Sequence, residues 1–193
     1  MFTSGFPIEL RSDVIAAARY ISEKTYNNIQ VGQSDDRCTY ILQNGQVVSF
    51  PYRIYYVEDK DGVPSVLTPT QKSIYHAIFS RSCNGFVREK HLRALLEGEL
   101  QEWIYPYLLK LSDEYVMEIV ECLYYGLRSK NTDRLKSFCV LNLQQFLRSH
   151  ARMISYWNEF YRTRCYKYKD YIGRKLYLEC FGYSRSLEKR RTK

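Results

Sequence analysis

Apolar residues recur at helical spacing from Thr68 almost to the C-terminus, and this periodicity constrains the fold more than any other feature. It is clearest in the segment DEYVMEIVECLYYGL, residues 113–127. The apolar positions there follow the spacing i, i+3, i+4, i+7 and i+11, at Val116, Ile119, Val120, Leu123 and Leu127. Such a series lines one face of an α-helix, which must be buried against another element. We therefore predict a helix here, with Ser112 as its N-cap.

Comparable patterns predict helices through the rest of this region. The first begins at Thr68, because Thr68 and Gln71 can cap each other's amides and Pro69 is tolerated in a first turn. The further helices are expected at 86–98, 102–111, roughly 131–149 and, as one helix or two, 153–181.

Residues 1–66 have a different pattern. A short amphipathic helix is expected after Ser12, which we take as its N-cap. The segment RCTYILQNGQVVSFPYRIYYVED, residues 37–59, has Asn44-Gly45 between two β-rich runs, which is typical of a tight hairpin. Pro51 should interrupt the second strand or place it at an edge, and EDKDGVP, residues 58–64, reads as a turn. We predict a small α+β cap over 1–66 and a helical body over 67–193.

Two helical segments resemble each other. NGFVREKHLRALL (84–96) and DEYVMEIVECLYY (113–125) align with Val87 on Val116, 29 residues apart, and EWIYPYLLKLS lies between them. This arrangement resembles short HEAT-like α-helical repeats, in which the first helix often carries a proline and the second opens with Asp-x-x-Val. The resemblance covers 84–127 well and 131–181 loosely.

The resemblance implies stacked helical hairpins that act as a scaffold or binding surface. A minority of such proteins bind DNA or act on damaged bases. The family has no universal functional residues that could be transferred to this chain. An irregular helical bundle is the alternative architecture.

The net charge of +8 is concentrated in the last third of the chain. Residues 131–193 contain 15 Lys and Arg against 5 Asp and Glu, whereas 1–66 contain 6 against 8 and 67–130 contain 8 against 8. A localised positive field attracts an acidic partner, which can be nucleic acid, an anionic membrane or an acidic protein.

The segment YRTRCYKYKDYIGRKLY, residues 161–177, interleaves tyrosines with cations. If it is helical, one face carries Trp157, Tyr161, Cys165, Tyr168, Ile172 and Leu176 toward the core. Arg162, Tyr166 and Lys169 then fall on the opposite, solvent-facing side. The candidate binding residues are Arg162, Tyr166, Lys169, Arg174, Lys175 and Arg185. A basic face that only keeps the protein soluble is the alternative interpretation.

The sequence has no motif that would carry catalysis or bind a metal. His76, His91 and His150 lack the HExxH or Cys/His spacing of metal sites. The six cysteines include no CxxC pair and suit free, buried thiols in a reducing cytoplasm. No stretch comes close to the continuous run of about 18 apolar residues that a membrane span needs. We expect a cytoplasmic, non-enzymatic protein with no metal, no cofactor, no membrane contact and no small-molecule substrate.

The charge and the resemblance together favour a binding or scaffold function. We expect the basic, tyrosine-rich C-terminal helices to hold an acidic protein partner, as an adaptor, an inhibitor or an immunity-type protein would. Nucleic-acid binding through the same face is the alternative. A winged-helix arrangement of residues 68–97 is a further alternative, with Arg88, Lys90 and Arg93 facing outward.

Overall fold

The computed structural model describes residues 2–22, 24–26, 29–56 and 62–190. Over these residues the fold is mainly α-helical with two short pairs of antiparallel strands near the N-terminus, one of which is the predicted β-hairpin, and this confirms the predicted fold class. The chain forms two compact units, residues 1–99 and 100–193. The predicted division between residues 66 and 67 therefore lies within the first unit, and most of the turn predicted at 58–64 lies outside the described residues.

The helices of the first unit are α1 (Arg11–Ala18), α2 (Pro69–Phe79) and α3 (Gly85–Glu97). Helix α2 packs against both α1 and α3. The predicted cap of α2 is confirmed: the Gln71 amide donates to Thr68 Oγ1 and the Thr68 amide donates to Gln71 Oε1, each at 3.2 Å. The predicted cap of α1 is wrong, because a 3-10 turn at Ile8–Leu10 runs directly into the helix and makes Leu10 the N-cap residue.

The strands of the first unit are β1 (Lys24–Tyr26), β2 (Ile29–Val31), β3 (Arg37–Ile41) and β4 (Val47–Pro51). Strands β3 and β4 form the predicted antiparallel hairpin, in which Ile41 pairs with Val47. Gly45 has a φ of +83°, a conformation that favours glycine. Ile54 then bridges to Ser82 in the α2–α3 connection. This bridge, with the α1–α2 packing, places α2 and α3 in the same unit as the hairpin.

The helices of the second unit are α4 (Tyr105–Leu111), α5 (Met117–Leu127), α6 (Asp133–Leu141), α7 (Leu143–Tyr156), α8 (Ile172–Lys175) and α9 (Arg185–Arg190). Every residue of α4 is buried, and α4 packs against α5, α6 and α7. The apolar stripe predicted for α5 is buried from Ile119 to Leu127, with Val116 half-buried. π-helical segments follow α7 at Trp157–Tyr161 and α8 at Leu176–Cys180.

Two boundaries in this unit differ from the prediction. Ser112 ends α4 rather than capping α5, because its amide bonds back to the Leu108 and Leu109 carbonyls and its hydroxyl donates to Leu109 O at 2.7 Å. The helix predicted over 131–149 is two helices. They are separated at Asn142, which has φ −105° and ψ 42° and whose side-chain amide donates to Phe138 O at 3.1 Å.

The helical path from residue 153 also ends earlier than predicted. Residues 162–167 are not helical, and a short 3-10 turn at Tyr168–Asp170 leads into α8. The reason is tertiary: the Trp157 indole N–H donates to Cys165 O at 2.9 Å, which folds the chain back on the end of α7. No helix in the described part of the chain is long and apolar enough to cross a membrane.

The two segments that resemble HEAT-like repeats fall in different units, since α3 belongs to the first and α5 to the second. The resemblance stays a prediction.

Candidate binding surface

The predicted binding residues lie along the chain from residue 162 to 185, and most are exposed. Arg162, Tyr166, Lys169 and Arg185 are exposed, whereas Arg174 and Lys175 are half-buried. Tyr166 keeps 75% of its surface. The helical stripe that would align Arg162, Tyr166 and Lys169 does not form, because 162–167 is a turn.

That turn, with the 3-10 segment after it, presents a group of exposed cations. We call residues 162–170 the cationic turn. Its exposed cations are Arg162, Arg164, Lys167 and Lys169, and its one acidic residue, Asp170, is also exposed. Exposed lysine and arginine side chains in one short turn make a site where carboxylates or phosphates can be held.

Aromatic rings fix the ends of the cationic turn. The rings of Trp157 and Tyr168 lie 4.9 Å apart by their centroids. The Arg162 guanidinium lies 6.0 Å from the Trp157 ring and donates to Asn158 Oδ1 at 3.0 Å. The Arg174 guanidinium lies 5.9 Å from the Tyr168 ring and donates to Lys169 O at 3.4 Å. These contacts order two of the predicted cations before any partner arrives.

Tyr168 and Tyr171 belong to the support beneath the turn rather than to its surface. Tyr171 is buried, and burial raises its pKa above the ordinary value of a tyrosine. Burial also raises the pKa of Tyr168 to about 12. A tyrosine is already protonated at neutral pH, so these shifts record the burial of the two phenols rather than a change in their charge. Gly173 makes the packing possible, since a Cβ at Gly173 would stand 2.5 Å from Tyr171 Cε1 and 3.0 Å from Met153 Sδ.

A buried ion pair anchors α7, the helix that leads into the cationic turn. Lys110 Nζ and Asp113 Oδ1 are 2.6 Å apart, with side chains only 6% and 4% exposed. Asp113 Oδ2 accepts from Ser149 Oγ at 3.1 Å and lies 3.4 Å from Arg152 Nη1. One carboxylate thus ties the end of α4 to two positions of α7.

Sequence reasoning missed one part of this surface. Tyr115, Tyr156 and Phe160 form a cluster of exposed or half-exposed rings, of which Tyr156 and Phe160 shortly precede the cationic turn in sequence. The spacing of Tyr156 and Phe160, four residues apart, could have suggested that these two share a helix face. Nothing local to the sequence would have added Tyr115, which comes from the α4–α5 connection.

The winged-helix alternative for residues 68–97 meets one contradiction. Arg88, expected to face outward, is 1% exposed and donates to the carbonyls of Ser82 and Cys83 at 2.8 and 3.0 Å. Lys90 and Arg93 are exposed as expected. Arg88 stabilises the α2–α3 connection instead of offering its charge to a ligand.

Among the described residues, no group of three or more His, Cys, Asp and Glu could hold a metal ion. Comparison with protein-family models, curated proteins and solved structures finds no match to this chain.

Proposed function

We propose that this is a non-enzymatic binding protein whose second unit holds an acidic protein partner. The partner is held by the cationic turn together with Arg174, Lys175 and Arg185. The observation that carries the proposal is the set of four exposed cations in one turn whose ends are fixed by Trp157 and Tyr168. A cation ordered in advance loses less conformational entropy when it binds. The resemblance to HEAT-like repeats supports the same kind of role by analogy alone.

A protein partner fits this turn better than nucleic acid does. Single-stranded nucleic acid is held by cations beside rings whose faces are open for base stacking. Here Trp157 and Tyr168 pack on each other and Tyr171 is buried, so Tyr166 is the largely exposed ring of the turn. Arginine guanidinium groups match carboxylates in geometry and in charge. Four of the cations involved are arginines: Arg162, Arg164, Arg174 and Arg185.

The double variant Arg162→Ala/Tyr166→Ala tests the proposal in the full chain. Poly-L-glutamate labelled with fluorescein serves as the acidic probe, and its anisotropy reports binding. We expect the variant to bind about fivefold more weakly, since each exposed charge contributes at most about 1 kcal/mol. The control is Arg19→Ala/Tyr20→Ala, which removes an exposed Arg and an exposed Tyr from the first unit. Equal affinities for the two variants would contradict the proposed surface.

The nucleic-acid alternative is tested with the same assay. Labelled oligo(dT), single-stranded RNA and duplex DNA replace the polyglutamate across a salt series. Phosphate binding would give a steep linear fall of log affinity with log salt. We expect weak binding with a shallow slope that Arg162→Ala/Tyr166→Ala leaves unchanged. A steep slope that Arg162→Ala/Tyr166→Ala reduces would favour nucleic acid over an acidic protein.

A further inference from the structure

Three aromatic rings from two separate parts of the second unit meet at its surface. The Tyr115 and Tyr156 ring centroids are 6.1 Å apart, Tyr115 and Phe160 6.2 Å, and Tyr156 and Phe160 6.0 Å. Tyr115 is 52% exposed and Phe160 51% exposed, with Tyr156 half-buried. We call these three residues the aromatic patch. Single exposed rings are common, but rings in mutual contact at the surface mark binding sites.

The backbone holds the patch in place. Tyr156 ends α7 and Phe160 lies in the π-helical segment that continues it. Residues four apart in an α-helix drift by about 40° around the axis. The π-helical segment winds less per residue, which reverses the sense of this drift, and Phe160 stays on the same side of the helical path as Tyr156. From the other side, the Tyr161 hydroxyl donates to the Tyr115 carbonyl oxygen and holds the α4–α5 connection against this segment.

Arginines extend the patch along α7. Arg148 and Arg152 precede Tyr156 by eight and four residues, so all three lie on one side of the helix. Arg148 is exposed, and the side chain of Arg152 is 45% exposed. Beyond Phe160 comes the cationic turn. Over residues 143–170 there are six Lys and Arg against two acidic residues, Glu159 and Asp170. Arg152 is already paired with Asp113, so the rings lie between the exposed Arg148 on one side and the cationic turn on the other.

We infer that the aromatic patch is the apolar anchor for an acidic protein segment that carries aromatic side chains. This inference rests on the proposed function and adds the chemistry of the partner. The partner's rings cover Tyr115, Tyr156 and Phe160, while its carboxylates reach Arg148 on one side and the cationic turn on the other. A second copy of this chain docked through the same patch does not fit, because it would bring the same positive charge to the surface.

The three rings also favour a protein segment over bases. Their planes are inclined at 75°, 51° and 38° to one another, so they form one apolar cluster with mixed faces and edges rather than a series of parallel platforms. Clustered Tyr, Phe and Arg side chains are typical of the centres of protein–protein interfaces.

Two probes of different composition test the inference on the full chain. They are labelled poly-L-glutamate and a labelled random copolymer of glutamate and tyrosine. We expect the copolymer to bind about tenfold more tightly than poly-L-glutamate, because its tyrosine rings would be buried against the aromatic patch. Tyr115→Ala/Phe160→Ala should remove this difference and leave poly-L-glutamate binding unchanged. The control Tyr125→Ala/Leu141→Ala truncates two other exposed apolar residues of the same unit and should preserve the difference.

The outcomes separate the two proposals. Equal binding of both polymers would overturn the anchor and leave the proposed function standing, whereas binding of neither would overturn the proposed function itself. Binding of oligo(dT) that depends on Tyr115 and Phe160 would assign the patch to nucleic acid and overturn the inference. If circular dichroism shows that the double variant does not fold, the single variant Phe160→Ala tests the inference instead. It should lower copolymer affinity at least threefold, and an unchanged affinity would overturn the inference.

Discussion

At the scale of single residues, His150 is the clearest case of a group whose chemistry is set by burial. Its ring is 5% exposed and lies 3.7 Å from the Tyr183 ring and 5.0 Å from the Tyr177 ring, by centroids. Burial lowers the pKa of His150 to about 4 from an ordinary 6.5, although Glu188 acts in the opposite direction. The folded protein therefore keeps this imidazole neutral over a pH range in which the unfolded chain protonates it.

We predict a pH dependence of stability from this shift. Because the pKa is lower in the folded state, the free energy of unfolding is unaffected above pH 6.5 and falls as the pH drops from 6.5 to 4. The full loss is about 3 kcal/mol. His150→Phe keeps the ring contacts and removes the titration. Urea unfolding of wild type and variant between these pH values should give a shallower dependence for the variant. Parallel curves would contradict the prediction.

Gly173 shows why some residues escape sequence reasoning. Its position in α8 has no turn chemistry and no positive φ that a pattern could indicate. The requirement for glycine comes from Tyr171 and Met153, whose atoms occupy the space of a Cβ. One of these neighbours is twenty residues away in sequence, so only the folded structure identifies it.

At the scale of elements, the buried Lys110–Asp113 pair joins α4 to α7. We predict that Asp113→Asn lowers the free energy of unfolding by about 3–5 kcal/mol, because it leaves the Lys110 ammonium buried without its counter-charge. The matched control is Asp133→Asn. It breaks another Asp–Lys pair three residues apart, with Lys136, but its side chains are 78% and 38% exposed. This control should cost less than about 1 kcal/mol. Equal losses in chemical denaturation would contradict the structural role of Asp113.

Whether the sequence predicted an element depends on how far apart along the chain the residues that determine it lie. The Thr68 cap and the Asn44-Gly45 hairpin depend on residues within a few positions of each other, and both are confirmed. The end of the helix at residue 161 depends on the Trp157–Cys165 and Tyr161–Tyr115 hydrogen bonds. Such contacts leave no periodic pattern. The helix phase assigned to 161–169 was wrong for this reason, although Arg162, Tyr166 and Lys169 are exposed as predicted.

The aromatic patch also has one part that the sequence could have predicted and one part that it could not. Tyr156 and Phe160 lie on one continuous helical path, so their proximity could have been read from spacing. Tyr115 joins them across about forty residues of chain through a tertiary hydrogen bond. Sequence reasoning therefore located the charge of the candidate surface and missed its apolar part.

At the scale of the whole molecule, the uneven distribution of charge is the feature that most favours a binding role. All of the net positive charge lies in residues 131–193, within the second unit. A partner attracted by this field should contact the lysines of the second unit and leave those of the first unit untouched. This asymmetry of contact is the central consequence of the charge distribution.

Carbodiimide coupling of an oligoglutamate peptide to the full chain measures that asymmetry directly. The reagent joins glutamate carboxylates to nearby lysine amines, and mass spectrometry identifies the modified lysines. We predict that coupling concentrates at Lys167, Lys169 and Lys175 and that high salt suppresses it. Lys72 and Lys90 of the first unit are the internal controls. Coupling at those two lysines equal to that at the three in the second unit would contradict an acidic partner bound at the cationic turn.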